Sequence, residues 1–409
     1  MPPELPVLIF GFIAGFYMAW HIGASDVANS MASAVGAKAV TLRQAIFTAG
    51  ILNIIGATFI GAHVTDTIRK GIVSPEILND PHLAIIGALA ALLSAILWVS
   101  FATWKSLPIS ATHSIVGAMV GFGLAAGGFR MLNWGCLGVV VLSWVIFPVF
   151  SLVMGFLMFK LIVKWVLTRP EPFQMALKLS PFFIGMAVFV CSMSFLFKTP
   201  LGKAAGITTA AALAISLMIS AVLGFAGKQA IIRLVRSKSE GDADDVFRRL
   251  QIGASCYVAL AQGANDVANA IGPVAIIYFL FKTGTVGTKI PVPVFLLLFG
   301  GIGIASGIVM GGSRVIKAVV DRIPASGSTR GFVVDFSAAT TVLAASMLGL
   351  PVSTTHAAMG GVMGVGLARG FEAVNFRVIF RILLYWALTL PVSALTCMAI
   401  FNILAFLYK

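Results

Sequence analysis

The chain has 409 residues, 59% of them hydrophobic and only 10% charged, with a mean hydropathy of +1.02. Soluble domains carry about 25% charged residues, so a water-soluble globular protein is excluded. The formal charge of +14 does not indicate nucleic acid, because no basic surface interleaved with aromatics exists; Lys and Arg stand in short segments between apolar runs, the positive-inside pattern of a membrane protein.

Apolar runs lie near 5–22, 41–62, 83–104, 134–159, 179–197, 205–225, 251–281, 291–312, 331–349 and 376–407. A crossing helix needs about 20 such residues, whereas barrel strands would alternate over about 10. The pattern predicts an all-α polytopic membrane protein of about 10–12 transmembrane segments. Met1-Pro2-Pro3-Glu4 precedes the first run without a basic region, so that run reads as its own insertion signal rather than a cleaved leader.

The first run leads into Gly23-Ala24-Ser25-Asp26-Val27-Ala28-Asn29. The third leads into Leu107-Pro108-Ile109-Ser110-Ala111-Thr112-His113, followed by a glycine-rich run over 117–128. Both motifs recur in order, as Gly263-Ala264-Asn265-Asp266-Val267-Ala268-Asn269 and Leu350-Pro351-Val352-Ser353-Thr354-Thr355-His356, the latter followed by the glycine-rich run 360–370. Asp26 and Asp266 stand 240 positions apart, Pro108 and Pro351 243. Such agreement indicates an internal duplication. Residues 1–167 form a first transmembrane repeat and 251–409 a second; 168–225 fit neither copy and read as an intervening transmembrane pair. The polar stretch 226–250, with Lys228, Arg233, Arg236, Lys238, Arg248 and Arg249 against Glu240, Asp242, Asp244 and Asp245, reads as a cytoplasmic linker. Hydropathy leaves repeat orientation open, since 133–166 could be one tilted helix or more. Cys136, Cys191, Cys256 and Cys397 lie in apolar stretches without CxxC spacing and read as small buried hydrophobes.

A carboxylate inside a membrane span is costly and is a functional candidate by default. Asp26 and Asn29, like Asp266 and Asn269, are three apart and share a helix face. A carboxylate beside a carboxamide oxygen suits a hard cation. The surrounding Gly and Ala residues permit close helix packing or local unwinding, and unwound carbonyls could complete a cation shell. In the second motif, proline suits a first helical turn, and Ser110, Thr112, Ser353, Thr354 and Thr355 suit capping or lining one. Segments 108–127 and 351–370 read as broken, re-entrant pieces whose helix N-termini offer free N–H groups and a positive dipole end, an anion site. No Lys or Arg lies inside either motif; Lys105 only borders one. An anion held there would meet two repelling aspartates, so bound cations and anion should need each other. His113 and His356 close the second motif and read as hydrogen-bonded braces of the hairpins, with proton shuttling as the alternative. His21, His63 and His82 lie outside the motifs. Gln262, whose counterpart is Ile22, adds a polar group beside the second Asp motif.

These paired motifs resemble the inorganic phosphate transporter family of sodium- or proton-coupled phosphate symporters, over nearly the whole chain. The resemblance implies inverted repeats, two hairpins meeting at a central site, a homodimer, and a multi-pass protein of the plasma (prokaryotic inner) membrane. It implies phosphate contacts from Ser110, Ala111, Thr112, Gln262, Ser353, Thr354 and Thr355, and sodium contacts from Asp26, Asn29, Asp266, Asn269, Ser110 and Ser353. No catalytic residue and no cofactor is expected; sodium is the coupling ion, the lipid bilayer the surrounding partner, and nucleic acid is not a partner. The first copy departs from the family pattern, with Ser25 where Asn is usual and Ser30 where Ala is usual, so the halves need not contribute equally. A sulfate or proton-coupled permease and an anion channel are the competing readings. An intramembrane aspartyl protease is disfavoured, because no Gly-x-Gly-Asp sequence occurs and each Asp is matched by an Asn.

Overall fold

The computed structural model describes residues 5–105, 109–197, 199, 202, 205–235, 242–286, 291–321, 327–373 and 376–407. Leu107 and Pro108 of the second motif, Arg236, Lys238 and Glu240 of the polar stretch, and the first four residues lie outside these. Fourteen α-helices are described: α1 (Leu5–Gly36), α2 (Leu42–Ile60), α3 (Ala62–Lys70), α4 (Pro75–Leu78), α5 (Pro81–Trp104), α6 (Ala111–Gly127), α7 (Trp134–Ile162), α8 (Pro172–Leu196), α9 (Thr209–Val235), α10 (Ala243–Thr283), α11 (Val294–Val320), α12 (Ser328–Met347), α13 (Thr354–Arg369) and α14 (Phe376–Leu407). Among the described residues, nine helices are long and apolar enough to cross a membrane. This is an all-α, integral multi-pass membrane protein.

Several details refine the sequence reading. The run 331–349 is α12, which is not among the nine because Arg330, Asp335, Thr340 and Thr341 dilute its apolar character. Segment 133–166 is one continuous helix, α7, ending in a π-helical turn at Val163–Leu167. The polar stretch 226–250 is largely helical, since α9 runs through Val235 and α10 starts at Ala243. The four cysteines are free, but only Cys397 is buried as expected; Cys136, Cys191 and Cys256 are half-buried.

The two halves pack by exchanging partners. Helix α1 lies against α11, while its counterpart α10 lies against α2. Likewise α6 lies against α14, while its counterpart α13 lies against α7. Glycines make these contacts possible. A Cβ on Gly23 would collide with the Ile304 carbonyl, and one on Gly307 with that of Trp20; across the other pair, Gly263 faces Asn53 and Gly56 faces Leu260. Backbones that approach so closely gain dispersion contacts, which replace the hydrophobic effect as the force between helices in lipid. Gly117 and Gly121 press on Leu390 and Ala394 of α14, as Gly360 and Gly364 press on Pro148 and Leu152 of α7. The glycine-rich runs after the second motif are therefore docking faces.

Helix α10 is central: 89% of its most apolar window is buried, against 39% for α1. Both run unbroken through their Asp motifs. Of the two readings of the motif glycines, local unwinding does not occur. The motif glycines serve close packing, and the helix keeps its own carbonyls bonded.

Candidate functional site

The candidate residues come from four helices meeting between the halves. Helix α6 starts at Ala111, capped by Ser110, whose Oγ accepts from the His113 N–H at 3.2 Å. Helix α13 starts at Thr354, capped by Ser353, which accepts from the His356 N–H at 3.3 Å. A cap satisfies one of the early N–H groups and leaves those of the first two helical residues free. These belong to Ala111 and Thr112 in one half, Thr354 and Thr355 in the other. Helices of 17 and 16 residues are shorter than the roughly 20 needed to cross, as a re-entrant piece should be.

The Asp-motif helices reach these N-termini by a crossed pair of hydrogen bonds. Asn29 of α1 donates through Nδ2 to Thr355 Oγ1 at 3.0 Å. Asn269 of α10 donates through Nδ2 to Thr112 Oγ1 at 3.2 Å. Each bond joins the first motif of one half to the second motif of the other. Thr112 Oγ1 in turn donates to the Val352 carbonyl at 3.2 Å, so the two hairpin tips also touch. Thr354 Oγ1 donates to Asp266 Oδ2 at 3.3 Å. Asp26 accepts from Ser25 Oγ at 2.9 Å. The two carboxylates are near enough to interact electrostatically. Thus Asp26, Asn29, Asp266, Asn269, Thr112, Thr354 and Thr355 form one cluster, with Ser110 and Ser353 as helix caps at its edge.

The halves are unequal. Asp266 and Asn269 are buried, whereas Asp26 and Asn29 are half-buried. Ala111 stands opposite Thr354 and offers only its backbone N–H. Gln262 is fully buried with both amide atoms unpartnered, as is the Oδ1 of Asn269. Buried polar groups are normally satisfied, so these atoms are open to a ligand.

Both histidines brace by stacking, and only His113 keeps the expected hydrogen bond. The His113 ring lies on Trp144 at 3.8 Å between centroids, the His356 ring on Trp386 at 3.3 Å, and the two imidazoles meet edge to face at 4.4 Å. His113 Nδ1 lies 3.4 Å from the Trp386 carbonyl, while both ring nitrogens of His356 lack a partner. This Trp–His–His–Trp layer sits one residue beyond Thr112 and Thr355, where an apolar cavity of about 570 Å³ begins. His21 packs edge-on against Tyr17 and Trp20 of its own helix.

Two groups escaped the sequence reading. Asn265, inside the motif, contacts the chain before α13. Asp335 on α12 is buried and accepts from Ser33 Oγ and Ser255 Oγ, both at 2.6 Å. The rule that singles out Asp26 and Asp266, a carboxylate within a predicted span, applies to Asp335 as well; only its lack of a duplicated counterpart hides it.

Comparison with known proteins agrees with this geometry. The model of the phosphate transporter family matches residues 22–397. A candidate phosphate permease of Thermococcus kodakarensis is 45% identical over 406 residues, covering 98% of each chain. The chloroplastic inorganic phosphate transporter 2-1 of Arabidopsis thaliana is 38% identical over 405 residues, covering 93% of this chain and 69% of its own length. A solved structure described as the sodium-dependent phosphate transporter superposes with a TM-score of 0.92 at 43% identity, covering 98% of this chain and 100% of that one. Members of this family are transporters and not enzymes. With the family model spanning both Asp motifs and both capped hairpins, the chain belongs to the phosphate transporter family.

Proposed function

We propose that the chain is a sodium-coupled symporter that imports inorganic phosphate by alternating access around the cluster between its halves. The observation that carries this is the crossed Asn29–Thr355 and Asn269–Thr112 pair. It sets two carboxylates beside two helix N-termini. Phosphate is held by the free N–H groups and hydroxyls of Ser110, Ala111, Thr112, Ser353, Thr354 and Thr355, with Gln262 supplying an amide. Sodium is held by Asp26, Asn29, Asp266 and Asn269, helped by Ser110 and Ser353.

Electrostatics makes the two ligands interdependent. Like charges 4 Å apart repel by about 1 kcal/mol in water and about 4 kcal/mol at an effective dielectric constant near 20. An oxyanion beside Asp26 and Asp266 is thus unstable until cations neutralise them. A cation that binds only with the anion, and the reverse, is what coupling requires.

The exchanged packing of α1 with α11 and α10 with α2 supports two repeats related by a two-fold axis, which we take as lying in the membrane plane. Rocking of the paired halves about that axis would expose the site to either side. We carry over a homodimer from the family resemblance; a single-subunit mass in native mass spectrometry would oppose it.

Uptake of labelled phosphate into proteoliposomes tests the function. An inward sodium gradient should raise initial uptake at least tenfold over choline, and sulfate should compete poorly. Uptake that ignores sodium but follows a proton gradient would reassign the coupling ion, and uptake indifferent to both would make the protein a channel. In the same assay Thr112→Val and Thr355→Val should each raise the phosphate KM about tenfold, because each removes a ligand hydroxyl and strands the amide of Asn269 or Asn29. An unchanged KM in both would remove the hydroxyls from the site.

A further inference from the structure

The chain entering α13 is irregular, yet its carbonyls over 349–352 are all bonded. The carbonyls of Gly349, Leu350, Pro351 and Val352 accept, in order, from Thr67 Oγ1 at 2.6 Å, Asn265 Nδ2 at 3.2 Å, Trp144 Nε1 at 2.9 Å and Thr112 Oγ1 at 3.2 Å. Non-helical backbone at membrane depth survives only when protein supplies such partners. Asn265 does the most. Besides the Leu350 carbonyl, its Nδ2 donates to Ser346 Oγ at 3.0 Å, and its Oδ1 accepts from the Val352 N–H at 3.2 Å. One fully buried side chain therefore ties the end of α12 to the residue just before the Ser353 cap.

Among the described residues, the first half shows no equivalent. Its residue at this place is Ser25, whose hydroxyl bonds the Ile22 carbonyl of its own helix and the adjacent Asp26. Among the described residues, neither the N–H nor the carbonyl of Ile109, the counterpart of Val352, forms a hydrogen bond like those of Val352. Serine is too short to span what asparagine spans. The difference is therefore written in the sequence and realised in the contacts.

Building on the phosphate-symport reading, we propose that Asn265 is the positioning residue of the oxyanion site. It holds the second hairpin tip so that the N–H groups and hydroxyls of Thr354 and Thr355 are set before the anion arrives. Position 25 imposes no such order on the first tip, so the second half is the preorganised wall of the site and the first adapts to it. Preorganisation raises affinity by removing the ordering cost of binding.

The test compares wild type with Asn265→Ser, which copies the first half, in phosphate uptake and in hydrogen exchange of the purified protein. Losing the two backbone bonds should raise the phosphate KM by about tenfold or more, with maximal rate changed less, and should speed exchange across 348–353. Wild type should already exchange faster at 109–112 than at 350–355. An unchanged KM, or a raised KM without faster exchange at 348–353, overturns the proposal. Should Asn265→Ser fail to reach the membrane, Ser346→Ala removes one partner of the same amide and should raise KM about threefold with the same exchange signature. Wild type that takes up no phosphate while showing the exchange contrast would sink the symport reading and leave the fixing of the tip intact.

Discussion

Asp266→Asn should cut sodium-driven phosphate uptake by about a hundredfold, and Asp26→Asn by less. The carboxylate of Asp266 is buried, is reached by the Thr354 hydroxyl, and lies on the helix that the rest of the fold surrounds. Replacing it with an amide keeps the shape and removes the charge that, on the proposed reading, neutralises a bound cation. A hydrogen-bonding or ion contact to a charged group is worth about 1.5–3 kcal/mol, and in a buried site the upper end applies, which converts to about a hundredfold. Asp26 is half-buried and bonded to Ser25, so water can replace part of what the substitution removes. The measurement is initial uptake against sodium concentration for both variants. Each should need more sodium for half-saturation, and the larger displacement should belong to Asp266. Equal sodium curves for wild type and both variants would take the cations out of this cluster, whatever the phosphate affinity.

Gly23→Val and Gly263→Val should abolish the folded protein rather than merely slow transport. At Gly23 a Cβ would enter the Ile304 carbonyl, and at Gly263 that of Asn53. Backbone cannot rotate away as a side chain can, so the helices must separate along their length. Overpacking in a core costs about 1–3 kcal/mol when side chains yield; here the contact between α1 and α11, or α10 and α2, is itself lost. The readout is the yield of monodisperse protein in detergent and its melting temperature. Ala28→Val is the comparison on the same helix, at a position half-buried in the structure, and should retain most of the folded yield. Normal yield of both glycine variants would show that the close crossings are not needed.

Several features of this protein were legible from the residue string alone, for identifiable reasons. A carboxylate within a hydrophobic run is expensive in lipid, so Asp26 and Asp266 stood out without any coordinates. Repetition of both motifs in order pointed to two halves and one site. Ser ahead of a short glycine-rich run announced the helix starts at Ala111 and Thr354, because capping is a local matter decided within a few residues; the proline expected in the first turn stands outside it at Pro351, two residues before the Ser353 cap. Membrane class followed from composition, since no amount of folding can hide so much apolar surface from water.

Tertiary structure decided the rest, because it depends on which helices meet. That Asn29 serves Thr355 and Asn269 serves Thr112, each across the halves, could not be read from spacing. The motif glycines were compatible with packing or unwinding; continuous α1 and α10 pressed on α11 and α2 settled this for packing. His113 and His356 were expected to brace by hydrogen bonds; both stack between two tryptophans from α7 and α14, and only His113 also makes such a bond, to the Trp386 carbonyl. Asn265 looked like one more letter of a motif until the irregular chain at 349–352 came to lie against it. Local propensity and cost are properties of the sequence, so they can be read along it. The partner of a polar group is a property of space, and in this protein nearly every decisive partner lies in the other half or on another helix of its own.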